Sequence, residues 1–357
     1  MWLIISVFSL FFLLVALSYI EDLLTNKVKS VIYIVFGALL VLMAACREIG
    51  FDPDSETYET YFKNYDNILL LTAVEYSYLW LCELVRNFSA DVHWVFLIYA
   101  TLGVSLKLIA FRKFGSAILT YLLIYVCYYF ELHETTQMRA GVMSGFFLLC
   151  IYFTANSKRL YAFFCIIFGS IFHLSAIAMI PILFLNNKPL TRNWKRILAF
   201  LIPAAFVFAV SFSFMSLYSE IPYLGTKLAS YQEQTESGQV AIGNVPLFGI
   251  PHLISVCIFY YLLYFSDSVA KNSKYFPILM RIFALGIFMY IALNSLPVLA
   301  ERMSSLYKIV SIFLIAEIAN TIRPRWAGVS IVVLIAFIFL NFILRSMYNF
   351  TIFLKPV

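Results

Sequence analysis

Two polar groups stand in this chain where a hydrocarbon surrounding would least tolerate them. Arg139 closes the stretch Glu-Leu-His-Glu-Thr-Thr-Gln-Met-Arg (131–139) and heads an apolar run, and His173 is the one break in another, Ile-Phe-His-Leu-Ser-Ala. A charge inside or at the edge of a membrane segment is costly, and its default reading is functional. Arginine carries a fixed fork of donors that matches phosphate and stays charged at any working pH. Arg139, followed by Ala140-Gly141, should reach into the interior and grip an anion there. His173 has a blander alternative, because a lone His on an apolar face is usually a satisfied core residue, and Ser175 is close enough to hydrogen-bond it. The functional reading puts both groups over one reaction centre.

Further candidates surround this pair. Arg47 and Arg302 also fall on or near the same side of the chain. Their alternatives are an interfacial anchor for Arg47 and a structural ion pair with Glu301 for Arg302. Asp52-Pro53-Asp54 forms a short acidic pair, although Pro53 followed by Asp54-Ser55-Glu56 is also a plain helix start with acids in its first turn. Glu75 lies at the head of a second short helix, where a carboxylate suits the helix dipole whether or not it has another task. Tyr58, Tyr61 and Tyr65 recur at three- and four-residue spacing and give one aromatic face. Glu134 belongs to the same polar stretch as Arg139. His133-Glu134 and His173 lack further ligands at a metal-binding spacing, so no metal site is expected. The six cysteines, 46, 82, 127, 150, 165 and 257, show no such spacing either. Cys46 and Cys82 are the pair that could meet outside the membrane, but a disulfide there is the lesser reading.

The elements that must hold these residues are membrane helices. Of 357 residues 63% are hydrophobic and 12% charged, against roughly 25% charged in a soluble domain. The expected fold is all-α, a single polytopic membrane domain over 1–357 with no separate soluble part. Apolar runs occupy 1–20, 30–46, 92–110, 116–130, 140–153, 160–185, 197–217, 247–265, 276–299, 303–322 and 326–344, about 10–11 spans. The first run lacks a basic flank and a cleavage site, so it reads as a permanent span. The formal charge of +6 fits basic cytoplasmic loops and requires no nucleic acid.

Loop charge sets the orientation. Arg112-Lys113 and Lys158-Arg159 should be cytoplasmic, and the acidic segment 47–91 should be outside. A second helix in that segment, 74–88, sets Tyr78, Leu81 and Val85 on one face and should lie in the interface. Beyond residue 160 the alternation fails. If 160–185 crosses once, three basic turns, at 186–196, Lys271–Lys274 and Arg323–Arg325, fall outside. If it enters and returns as a re-entrant hairpin, all three move inside and the glycine-containing loop 218–246 moves outside. Residues 160–172 make ~20 Å of helix, about two-thirds of the hydrocarbon core, which puts His173 at the turn. Charge favours the hairpin over one tilted span of 26 residues.

The order Arg47, Asp52-Pro-Asp54, Tyr58, Tyr61, Glu75-Tyr-Ser-Tyr-Leu, Arg139-Ala-Gly, Phe172-His173-Leu-Ser175-Ala and a late Arg302 resembles the EpsG-type family of Wzy-like polysaccharide polymerases. The likeness covers about residues 20 to 310, and its most specific parts are the Phe-His-x-Ser-Ala box and the Asp-x-x-x-Tyr loop. The family usually has Arg-Gln where this chain has Arg139-Ala140. The resemblance implies a GT-C-like glycosyltransferase of the bacterial cytoplasmic membrane. It would move a growing glycan from undecaprenyl diphosphate onto a new lipid-linked repeat unit at the outer face, without a cofactor or metal. Arg139, helped by Arg47 and Arg302, would neutralise the diphosphate, and His173 would act as general base. Asp52, Asp54, Glu75, Tyr58 and Glu134 would bind substrate, with the tyrosine face stacking on sugar rings. Implied partners are undecaprenyl diphosphate-linked oligosaccharides, membrane lipids, and a chain-length regulator and flippase of the same pathway. Two other readings stay open: a transferase using a polyprenyl monophosphate donor with Asp52 or Asp54 as metal ligand or base, and a lipid-linked sugar flippase. Transporters often show paired repeats with broken helices in both halves, and here one candidate broken element lies in one half.

Overall fold

The computed structural model describes residues 2–67, 74–211, 246–294 and 296–348, and every regular element among them is helical. The protein is an all-α polytopic membrane bundle. Among the described residues, five helices are long and apolar enough to cross a bilayer: α1 with its 3-10 extension (Trp2–Leu23), α2 (Asn26–Ala45), α5 (His93–Phe114), α7 (Met138–Ala155) and a last helix, Arg325–Tyr348. A sixth span results if Ile250–Tyr264 and Ser266–Asn272, bent by 81°, are one crossing. The other apolar runs fold as shorter pieces. Run 303–322, expected as one helix, is broken between Pro297–Lys308 and Ser311–Thr321. The outer loop expected at 218–246 lies outside the described residues, apart from its last residue.

Two compact units emerge, one of residues 1–187, 273–275 and 312–357, the other of residues 188–272 and 276–311. In the first, α5 and α7 are the central pair, and α2, the short α6 (Ile118–Ile124) and α8 (Arg159–Phe172) pack around them. Glu21 fixes the start of α6: its buried carboxylate accepts the backbone N–H groups of Leu119 and Thr120 at 2.8 and 3.2 Å and the Thr120 hydroxyl at 2.7 Å. An anion there offsets the positive end of the helix and satisfies donors that have no intrahelical acceptor. Beyond α6 the helix widens into π turns at Tyr125–Tyr129 and Glu131–Thr136. Such widening is frequent at functional sites.

The described residues of segment 47–91 form two short helices, as its pattern predicts. α3 (Ser55–Lys63) and α4 (Tyr76–Arg86) bury Tyr58, Phe62, Tyr78, Leu81, Cys82 and Val85 against Val95, Phe96 and Tyr99 of α5 and Val142 of α7. The expected apolar face of α4 is present. The tyrosine face of α3 points into this core, with Tyr58 buried and Tyr61 and Tyr65 packed half-buried against it, so Tyr58 is not laid out for a sugar to stack on. All six cysteines are free.

Residues 160–185 turn back on themselves. α8 ends at Phe172, His173 is extended (φ −155°, ψ 128°), and a 3-10 helix runs from Leu174 to Phe184. The return is tied at its base, where Arg159 donates to the Leu183 carbonyl and, at 2.6 Å, to that of Leu185. The two limbs pack closely at Gly169, where a Cβ would stand in ordinary van der Waals contact with that of Ala176 at 3.4 Å.

The second unit contains α9 (Arg192–Ser211) and the helices Ile250–Tyr264, Ser266–Asn272, Phe276–Ala292 and Pro297–Lys308. Lys195 pairs with Asp267 at 2.7 Å, and the Arg281 guanidinium lies 4.9 Å from the Trp194 ring centre. Arg302 lies on Pro297–Lys308 in this unit.

Candidate active site

Arg139 sits in the first turn of α7, directly after the second π stretch. Gly141 makes this junction possible, because a Cβ there would stand 2.2 Å from the backbone oxygen of His133. A buried cation supports it from the side. Lys107, midway along α5, donates to Glu134 Oε1 at 2.5 Å and to the Gly141 carbonyl at 2.6 Å, and the Tyr125 hydroxyl donates to the same Glu134 oxygen at 2.8 Å. Lys107 and Glu134 are both fully buried, so each charge depends on the other to be tolerated at all. Glu134, expected to bind substrate, is here a buttress for the helix that carries Arg139.

Three charged or titratable groups converge on the half-buried face above. Arg139 Nη1 forms an ion pair with Glu75 Oε2, and His173 Nε2 lies 4.0 Å from Glu75 Oε1. Glu75 is the residue before α4, in the extended conformation of an N-cap (φ −65°, ψ 142°), yet its side chain makes no capping hydrogen bond. The carboxylate is turned away from the helix it heads and toward the cation. Side chains of the three residues remain 16–23% exposed, so the cluster opens outward. Tyr58 forms the wall: its ring centre is 5.6 Å from the Arg139 guanidinium carbon, and its carbonyl accepts the Tyr78 hydroxyl at 2.6 Å. Burial raises the Tyr58 pKa, so the ring faces the cation as a neutral phenol. Phe172 closes the side next to His173 by meeting Tyr99 edge-on at 6.0 Å.

His173 is oriented by the turn it makes. Its Nδ1 accepts the backbone N–H of Ser175 at 3.1 Å. The partner expected at Ser175 is therefore its main chain and not its hydroxyl. A ring nitrogen that accepts carries no proton, so the neutral imidazole has its proton on Nε2, the atom facing Glu75.

Arg47 and Asp52 are brought to each other. Arg47 Nε donates to Asp52 Oδ2 at 3.0 Å, Nη1 donates to the Ala44 carbonyl at 2.6 Å, and the guanidinium carbon lies 3.8 Å from the Phe96 ring centre, with both side chains fully buried. Asp52 Oδ1 accepts the N–H groups of Asp54 and Ser55 at 3.1 and 3.0 Å. The capping carboxylate at the start of α3 is thus Asp52, where sequence reasoning favoured Asp54. Asp54 occupies the N-cap position without a side-chain capping bond.

Residues 30–354 match the family model described as EpsG. The chain belongs to the EpsG family. It is also 21% identical over 314 residues to the amylovoran biosynthesis protein AmsC of Erwinia amylovora, covering 83% of this chain and 81% of that protein. No solved structure matches it.

In this EpsG-family chain, sequence reasoning missed Lys107 and Glu131. Lys107 is the lone cation within the apolar run 92–110, and that signal alone marks it. Glu131 is buried, with its Oε2 accepting the Tyr348 hydroxyl and its backbone oxygen accepting Thr135 Oγ1 at 2.6 Å. Tyr348 stacks in turn on Phe51 with ring centres 4.6 Å apart, which ties the last described helix to the segment before α3.

Proposed function

We propose that this protein is a polysaccharide polymerase, which transfers a growing glycan from a polyprenyl diphosphate carrier onto a new lipid-linked repeat unit at the outer face of the bacterial cytoplasmic membrane. The observation that carries the reading is the convergence of Arg139, Glu75 and His173 at one half-buried opening. Family membership and the likeness to a protein named for amylovoran biosynthesis support a task in polysaccharide assembly. A diphosphate is already a good leaving group. Catalysis then needs fixed positive charge where the leaving group's charge grows, a proton acceptor for the attacking hydroxyl, and orientation. Arg139 supplies the first within a low-dielectric wall, so the reading needs no divalent ion. The acceptor hydroxyl belongs on the Glu75–His173 side. Arg47 and Asp52 hold the loop that carries Glu75, and Lys107 and Glu134 hold the helix that carries Arg139. In cells lacking the protein, lipid diphosphate-linked single repeat units should accumulate and polymer should disappear. Accumulation of incomplete repeat units would instead place the protein at addition of a single sugar from a monophosphate donor.

A further inference from the structure

We propose that Glu75, and not His173, takes the proton of the acceptor hydroxyl, and that diphosphate arriving at Arg139 frees it to do so; this rests on the polymerase reading above. With Nδ1 of His173 occupied by the Ser175 N–H, the ring presents an N–H to the site and has no lone pair there. It would have to lose that proton before it could accept another. The acceptor must be a neighbouring group, and Glu75 is the carboxylate that both Arg139 and His173 face.

Glu75 is placed for this task and for no evident structural one. As an N-cap residue it could have closed onto α4, and it does not. It lies within reach of a ligand, with 23% of its side chain exposed. At rest the ion pair with Arg139 occupies its Oε2. A diphosphate carries more charge than a carboxylate and accepts bidentate bonds from the fork. Once it is bound, it takes the Arg139 fork from Glu75 and leaves the carboxylate free to face the acceptor hydroxyl. His173 Nε2 stands 4.0 Å from Oε1, beyond direct hydrogen-bond reach.

The step then balances. The acceptor oxygen bonds to the anomeric carbon of the growing chain, and the bond from that carbon to the diphosphate oxygen breaks. Its electron pair leaves on the diphosphate, held by Arg139, and the hydroxyl proton moves to Glu75.

The test uses the full-length protein in vesicles, with lipid diphosphate-linked repeat unit purified from cells lacking it. Glu75→Gln should lower kcat by about 10²–10⁴-fold, the usual contribution of a general base, without raising KM for the lipid substrate, because a competitor for Arg139 has gone. A carboxylate that only bound sugar hydroxyls would raise KM instead. Glu75→Ala should be as slow, and added formate should restore at least about tenfold of the loss by replacing the missing base. His173→Gln, which retains an N–H donor, should lose less than Glu75→Gln. Glu75→Gln within about threefold of the parent, far less than a lost base costs, would overturn the assignment, as would Glu75→Ala unmoved by formate. Should Glu75→Gln fail to accumulate, the formate arm decides alone. If the parent itself makes no longer product from this lipid, the polymerase reading fails, and the assignment fails with it.

Discussion

A carboxylate at the head of a helix normally turns back to cap it, and Glu75 turns the other way. Sequence alone leaves the two possibilities level, because a Glu at that position looks the same whichever way its side chain points. Arg139 and His173 were legible for the opposite reason: in so apolar a chain, each polar group must have a partner or a purpose. The role of His173 was not legible, since it depends on which ring nitrogen the Ser175 N–H occupies. The residue-scale prediction concerns the fork of Arg139. Arg139→Lys keeps the charge but loses bidentate geometry, and a charge-assisted hydrogen bond contributes about 1.5–3 kcal/mol. Polymer formation should therefore fall by roughly 10- to 100-fold, with the protein still present in the membrane. Full activity in that variant would reduce Arg139 to a point charge.

At the scale of elements, the site depends on two junctions. One is the α3–α4 region, where the buried Arg47–Asp52 pair and the Asp52 cap set the start of α3 and Tyr78 links α4 back to α3. The Pro53 start and the tyrosine spacing foretold the helix, but its aromatic face could not be assigned to core or substrate without knowing what packs on it. The second junction is the π stretch before α7, which rests on Lys107 and Glu134. No hydrophobic period announces a π turn, so the sequence showed a polar stretch and nothing of its geometry. Lys107→Met leaves Glu134 buried and unpaired, at a cost of about 3–5 kcal/mol. Adding Glu134→Gln should recover part of that loss, measured by thermal unfolding in detergent. An additive double variant would mean that the two charges are not coupled. Gly141→Ala should also be destabilising, because the new methyl group would meet main-chain oxygen at His133, which cannot simply swing aside. The hairpin at 160–185 could be inferred from distant loop charges, and its closure by Arg159 onto Leu183 and Leu185 gives the local cause.

For the whole molecule, composition alone established a polytopic helical bundle, whereas the lengths of individual helices depended on packing. Run 303–322 is polar up to Lys308 and apolar after it, and the fold breaks where the two parts meet. The loop-charge bias predicts an orientation that labelling can test. In a background without the native cysteines, Asp66→Cys should react with an impermeant thiol reagent in intact cells and Thr191→Cys should not. The reverse pattern would invert the orientation and remove the site from the outer face. Chain growth itself gives the most direct measurement. In vesicles holding only the purified protein and lipid diphosphate-linked repeat unit, with divalent ions chelated, each added repeat should be matched by one released lipid diphosphate. Growth that stops under chelation, or that releases lipid monophosphate, would contradict a metal-independent transfer at Arg139 and Glu75.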